Sequence, residues 1–329
     1  MSREKIYPYA VARIRVWENK LLNKQTLIQM AEAKSADDSL RLLLEAGYGE
    51  SGLNINARDF EGILKSELAK TYSLMRELSV EENFIDIFLY KNDYHNLKVL
   101  IKKDITELKD TDYLVDGGTI EIDTLIQAVE NKNSNSFSEL PKIMAKAAKD
   151  AVDIYSKTQN GQMIDIILDK AVFESMMETA KLNKNDFIIK YVLKLCDLTN
   201  LKSFMRIKRM EKGFDLFKNV YIKEGSISLD VFATAFNSEN IASGFKTTAY
   251  STLCENGMSS GFTVFEKLCD NYIMDYVKSA KYQALTLEPL VAYLYAKESE
   301  IKTVRIIMTS KINNINAETI KERLREAYV

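Results

Sequence analysis

The chain has 329 residues, with 45 Lys and Arg against 47 Asp and Glu and a formal net charge of −2. That balance excludes a nucleic-acid binder of the usual kind, which carries a clear basic excess. Twelve Gly and three Pro are few for this length; tight β-turns demand positive or fixed φ, so the shortage points to an all-α fold of long helices and short links.

The first residues, Met1 to Tyr9, are charged and lack an apolar stretch, so no signal peptide is expected there. Trp17, Leu21 and Ile28 then recur at helical spacing, with charged residues between them. After Asn56, the residues Leu64, Leu68, Tyr72, Met75 and Leu78 fall on one stripe. Around Asp186 the same period carries Phe187, Tyr191, Leu195 and Leu198. Each stripe needs a partner surface, so these helices are expected to pack together. No window approaches the ~18–20 apolar residues needed to span a bilayer, so any membrane association is expected to be peripheral. Cys196, Cys254 and Cys269 are odd in number and lack CxxC spacing, which favours a reducing compartment over a disulfide framework.

Three strings recur along the chain. The first reads Asn96-Leu97-Lys98, then Asn200-Leu201-Lys202, then Glu300-Ile301-Lys302, the lysines lying 104 and 100 residues apart. The second follows each copy: Thr119-Ile120-Glu121-Ile122-Asp123, Ser226-Ile227-Ser228-Leu229-Asp230 and Asn314-Ile315-Asn316-Ala317-Glu318. An acidic residue there suits the first turn of a helix, where the dipole is positive. The third precedes the lysine copies: Leu168-Asp169 resembles Cys269-Asp270, each 31 residues before Asn200 or Ile301. A first copy lies around Leu22-Asn23 with a longer spacer. The reading is three divergent helical units: 1–135 with an insertion, 136–240 and 241–329. Polar stretches at Asn131–Ser138 and Phe236–Gly244 mark the edges.

Catalytic chemistry is not evident. The single histidine, His95, has no orienting carboxylate, nucleophile or further metal ligands at a suitable spacing, and is read as a structural residue at a helix start. Gly244-Phe245-Lys246-Thr247-Thr248 contains the tail of a phosphate-binding loop without its first glycine. Gly117-Gly118 has no following GxxG; its repeat equivalent is Glu224-Gly225, which favours a turn before a helix. The densest basic stretch is Lys202, Arg206, Lys208, Arg209 and Lys212, with Lys202, Arg206 and Arg209 on one helical face. That face reads either as a docking surface for an acidic partner or as a solvated helix side near Glu211. No catalytic residue, cofactor site, metal site or small-molecule substrate is expected.

These residues also resemble a known family. Tyr9-Ala10-Val11-Ala12-Arg13-Ile14-Arg15, with Glu18, Leu21 and Leu22, is similar to the start of the C subunit of V/A-type rotary ATPases, called the d subunit in the eukaryotic V-type enzyme. Leu44-Glu45-Ala46-Gly47-Tyr48-Gly49, Asp93-Tyr94-His95-Asn96-Leu97-Lys98 and Glu288-Pro289-Leu290 with Ala292-Tyr293, Glu298, Glu300-Ile301-Lys302 and Arg305 extend the likeness over the whole length. The resemblance implies a three-lobed, funnel-shaped helical protein with pseudo-threefold symmetry. It implies a place on the cytoplasmic face, seated on the membrane proteolipid ring, with the central shaft, made by the D and F proteins, fitted into the funnel. Such a protein is a rotor part, serving ATP-linked H+ or Na+ transport without hydrolysing ATP itself. The length looks bacterial or archaeal in type.

On that reading the contacts are extensive, at or above the ~1,200–2,000 Å² of stable interfaces, with a charged inner wall matched to the shaft. Lys202, Arg206 and Arg209 are the partner-binding candidates; Asn96-Leu97-Lys98 and Tyr48-Gly49 are read as fold determinants. The alternative is an unrelated α-helical scaffold or adaptor, although solenoid repeats run 20–50 residues against roughly 100 here. A helical enzyme using scattered carboxylates ranks third.

Overall fold

The computed structural model describes residues 7–49, 55–79, 82–106, 113–131 and 137–329. Most of Met1–Tyr9 and most of the polar stretch Asn131–Ser138 therefore lie outside the described residues. Within them the chain forms fifteen α-helices and no strand. It folds as two compact units, one from Met1–Glu82 with Phe245–Val329 and one from Asn83–Gly244.

The helices in chain order are α1 (Pro8–Glu18), α2 (Lys24–Glu32), α3 (Ala36–Glu45), α4 (Phe60–Leu78) and α5 (Asp86–Thr106). Then come α6 (Ile122–Glu130), α7 (Lys142–Thr158), α8 (Gly161–Leu182), α9 (Asp186–Arg209) and α10 (Phe214–Val220). The last are α11 (Leu229–Asn237), α12 (Ser251–Gly257), α13 (Phe262–Lys278), α14 (Glu288–Ile312) and α15 (Ala317–Arg323). All three prolines stand where a helix begins, with Pro8 and Pro289 in first turns and Pro141 at the N-cap of α7; the missing N–H costs nothing there. Asn23, Ser35, Asn160, Asn185 and Asn316 each accept a backbone N–H of the first turn they precede.

The stripes at Leu64–Leu78 and Phe187–Leu198 lie within α4 and α9. The Trp17–Leu21–Ile28 stripe does not form one helix. α1 stops at Glu18, and the Asn23 side chain takes the Thr26 N–H at 2.9 Å to start α2 afresh. A side chain that bonds local backbone competes with helix continuation.

In the first unit, α14 is buried along most of its length, with Lys302, Arg305 and Thr309 left exposed on one side. Leu40, Leu43, Leu64, Ile301, Val304, Ile307, Met308 and Ile320 form the core around it. In the second unit, α5, α7 and α8 pack together, and α9 to α11 enclose an aromatic cluster. There the Phe204 ring lies 5.3 Å from Phe217 and 5.4 Å from Phe232, and Phe217 lies 4.7 Å from Phe232, separations at which aromatic pairs add to simple burial.

Candidate functional site

The three recurrent strings mark tie points between long helices and the loops beyond them. On α5, Asp93 Oδ1 accepts the N–H groups of Thr119 (2.9 Å) and Ile120 (3.2 Å), and Oδ2 accepts the Thr119 hydroxyl at 2.7 Å. On α9, Asp197 Oδ1 accepts the N–H groups of Ser226 (2.7 Å) and Ile227 (3.0 Å), and Oδ2 accepts the Ser226 hydroxyl at 2.5 Å. One turn later, Asn96 exchanges two 2.8 Å bonds with the Val115 backbone, and Asn200 does the same with Ile222. These four polar side chains are buried, so the loop amides they satisfy need no water. Burial pushes the Asp93 carboxyl above its ordinary value, against the pull of its hydrogen bonds to Thr119 and Ile120.

The glycines follow from this arrangement. A Cβ at Gly118 would meet Asp93 Oδ1 at 2.0 Å, and one at Gly225 would meet Asp197 Oδ1 at 2.4 Å. Gly117-Gly118 is thus a loop pressed against a carboxylate before α6, which accounts for its likeness to a fragment of a nucleotide motif.

On α14 the chemistry is replaced. Lys297 and Glu300 occupy the places of the Asp and Asn, and both are buried. Lys297 Nζ lies 2.8 Å from Glu300 Oε1, donates to the Tyr48 hydroxyl at 2.9 Å and sits 4.1 Å from the Tyr48 ring centre. Glu300 also accepts the Tyr48 hydroxyl and the Leu22 N–H. Burial, with Glu300 beside it, drives the Tyr48 phenol well above its usual value. The string Glu300-Ile301-Lys302 was legible, but the buried ion pair was not. Extending each copy three residues upstream, to Asp93, Asp197 and Lys297, would have exposed the substitution.

Two of the three lysines of the first string meet aspartates of the third. Lys98 Nζ lies 2.5 Å from Asp169 Oδ1, and Lys302 Nζ lies 2.8 Å from Asp270 Oδ2, where Arg325 Nε joins at 3.1 Å. Asn96, Leu97 and Tyr48 are buried and Gly49 adopts positive φ, as expected of residues that shape the fold.

The basic candidates lie at the end of α9. Lys202 is half-buried, Arg206 and Arg209 are exposed, and their spacing places them on one side of the helix. Lys208, which the spacing leaves off that face, donates through its Nζ to the Phe236 carbonyl at 2.8 Å and lies 4.2 Å from the Phe236 ring centre. The helix ends when Glu211 turns to φ 53 and the Lys212 N–H reaches back to the Ile207 carbonyl at 3.1 Å, a Schellman closure without glycine. Cations in a last turn also favour the helix dipole.

His95 is not at a helix start. It stands in the middle of α5, exposed, with Nε2 3.0 Å from the Tyr113 carbonyl; the chain is already helical there because α5 begins upstream, at Asp86. Gly244 closes the second unit with its backbone against Ala235, where a Cβ would approach to 2.4 Å, so packing accounts for it. Among the described residues no group of three or more His, Cys, Asp or Glu is arranged to hold a metal ion. Nor is any helix among them long and apolar enough to cross a membrane. The three cysteines are buried, and burial lifts the Cys254 thiol to about 12.

A half-buried ion pair also escaped the sequence. Arg15 Nη1 meets Glu18 at 2.7 Å, Arg15 Nη2 donates to the Gln283 carbonyl at 2.9 Å, and the Tyr328 hydroxyl donates to Glu18 at 2.9 Å. Helix α1 is thereby tied to the segment before α14 and to residues beyond α15.

The family model described as ATP synthase (C/AC39) subunit matches residues 10–323. The C subunit of the V-type sodium ATPase of Enterococcus hirae is 26% identical over 320 residues, covering 96% of this chain and 97% of that protein. The C subunit of the A-type ATP synthase of Methanocaldococcus jannaschii is 25% identical, covering 97% of this chain and 86% of its own. That of Pyrococcus furiosus is 22% identical, covering 97% and 90%. A match over nearly the entire chain removes the reading as an unrelated helical scaffold: the chain belongs to the ATP synthase C/AC39 subunit family.

Proposed function

We propose that this chain is a non-catalytic rotor subunit in the central stalk of a V/A-type ATPase. It acts as a socket that couples the D–F shaft to the membrane proteolipid ring for ATP-linked H+ or Na+ transport. It sits peripherally, on the cytoplasmic face. The observation that carries this reading is the full-length match to the C subunits of V-type and A-type complexes. The buried ties support it, because a part that transmits torque must resist slippage between its helices and its loops. Loop amides held by Asp93, Asp197, Asn96 and Asn200 cannot slide without leaving buried polar groups unpaired. The division into 1–135, 136–240 and 241–329, arranged as a pseudo-threefold funnel, belongs to the same proposal.

Within that socket, Lys202, Arg206 and Arg209 face an acidic part of the shaft. The test is size exclusion of this protein with the purified D–F pair from the same organism. A stoichiometric complex is the expected result. Replacing Lys202, Arg206 and Arg209 with Glu weakens it, most at low salt, where exposed charges are least screened. Separate elution of the unmodified protein at micromolar mixing removes the shaft as a partner. Unchanged affinity of the triple variant returns the basic face to a solvated helix side.

A further inference from the structure

We propose that a groove between α5, α8 and α9 binds an acidic amphipathic helix of a partner protein. The groove encloses about 450 Å³ and lies wholly within the Asn83–Gly244 unit. Its floor is apolar: Phe173 is half-buried and Met176 and Ile222 are buried, all lining the space. Its rim carries Lys91, Lys98 and Lys170 against a single lining carboxylate, Asp169. Lys98 is paired with Asp169, and Lys170 Nζ reaches the Asn219 carbonyl at 3.2 Å, a neutral acceptor that leaves its charge in place.

An apolar trough with a cationic rim is complementary to one kind of occupant. A helix that presents apolar anchors at i, i+3, i+4 and i+7 fills the floor, and carboxylates flanking that stripe meet the lysines. A basic or neutral helix gains only the floor. Thr199 and Ser203, small residues one turn apart on α9, form the third wall and leave the trough open. The proposal goes beyond the stalk role and does not depend on it.

The probe is a labelled designed helix of about eighteen residues, long enough to be helical when docked, with a Leu stripe flanked by Glu; its counterpart carries Lys in place of Glu. Fluorescence anisotropy at low salt against the full-length protein is the readout. The acidic helix is expected to bind at least about tenfold more tightly than the basic one. Ser203→Trp, which fills the trough, and Lys170→Glu, which reverses the rim, are each expected to weaken it at least about tenfold. Lys246→Glu, in the other unit, leaves it unchanged. Circular dichroism confirms that each variant keeps its helices, and Thr199→Trp serves if Ser203→Trp does not fold. Equal binding of both helices, or affinity untouched by the filling and reversing variants, overturns the proposal. So does preference for anionic vesicles over the acidic helix.

Discussion

Asp197 takes two amide hydrogens and one hydroxyl into a buried carboxylate, and Gly225 lies close enough that its hydrogen stands where a methyl would strike the oxygen. Asp197→Ala therefore orphans three donors at once. A loss of about 2–4 kcal/mol is expected in denaturant unfolding, above the ~1–3 kcal/mol for one buried unsatisfied group. Gly225→Ala presses a carbon onto the same oxygen from the other side and should cost about 1–3 kcal/mol through displacement of the loop. If both variants melt like the parent, the carboxylate is not holding the loop. Lys297 presents the opposite charge problem. Lys297→Met leaves Glu300 buried without its cation, for an expected loss of about 3–5 kcal/mol, whereas Lys297→Met with Glu300→Gln, which removes the charge and keeps an acceptor for the Tyr48 hydroxyl and the Leu22 N–H, should recover much of it. A double variant no better than the single one would show that the pair stabilises the core rather than merely compensating itself.

At the scale of the helix, the ends decide more than the middles. α9 begins with Asn185, whose side chain accepts the Phe187 and Ile188 amides at 2.9 and 3.1 Å, and it ends with Glu211 in a left-handed conformation at φ 53. Asn185→Ala is expected to lower stability by about 1 kcal/mol. Glu211→Gly is expected to raise it by about 0.5–1 kcal/mol, since glycine adopts that conformation without strain. Thermal melts read both, and a destabilised glycine variant would mean that the Glu211 side chain matters more than its backbone. Such ends explain what could be read in advance. The stripes of α4 and α9 were visible because apolar period survives burial against a single face. The break at residues 19–23 was not, since the apolar spacing runs on from Trp17 to Ile28 while Asn23 restarts the helix. The amphipathic signal is also weak in α14, where buried positions far outnumber the exposed Lys302, Arg305 and Thr309, so its place at the centre of the first unit could not be inferred from pattern. Recurrent strings located the tie points, but the pairing of Lys98 with Asp169 and of Lys302 with Asp270 depends on tertiary approach. The basic face of Lys202, Arg206 and Arg209 was legible as spacing; that Lys208 bonds the Phe236 carbonyl was not.

For the molecule as a whole, the buried phenols set the alkaline limit. Tyr48, Tyr72, Tyr94, Tyr293, Tyr295 and Tyr328 are all pushed above their ordinary value, in each case first by burial. Carboxylates add to it at Tyr48 (Glu300), Tyr72 (Glu298) and Tyr328 (Glu18). An unfolded phenol releases its proton near pH 10; these hold theirs in the folded state. The native protein thus binds more protons than the unfolded chain above that pH. The stability these groups contribute is intact below about pH 10 and is lost as pH rises toward the raised folded values. Lys194, Lys267, Lys281 and Lys311 act in the other direction, because burial lowers them and the native state then gains as they discharge. They are less enclosed than the tyrosines, and solvent screens their share. The net expectation is a melting temperature that falls steeply above about pH 10, with tyrosinate absorbance appearing together with loss of helical circular dichroism. Five of the six tyrosines, all except Tyr94, belong to the unit of Met1–Glu82 and Phe245–Val329. Hydrogen exchange should therefore accelerate in α14 before α8 as the pH is raised. Tyrosinate forming at its ordinary pH while α14 stays protected would show that these hydroxyls are open to solvent and that the ties to Glu18, Glu298 and Glu300 do not hold the first unit together.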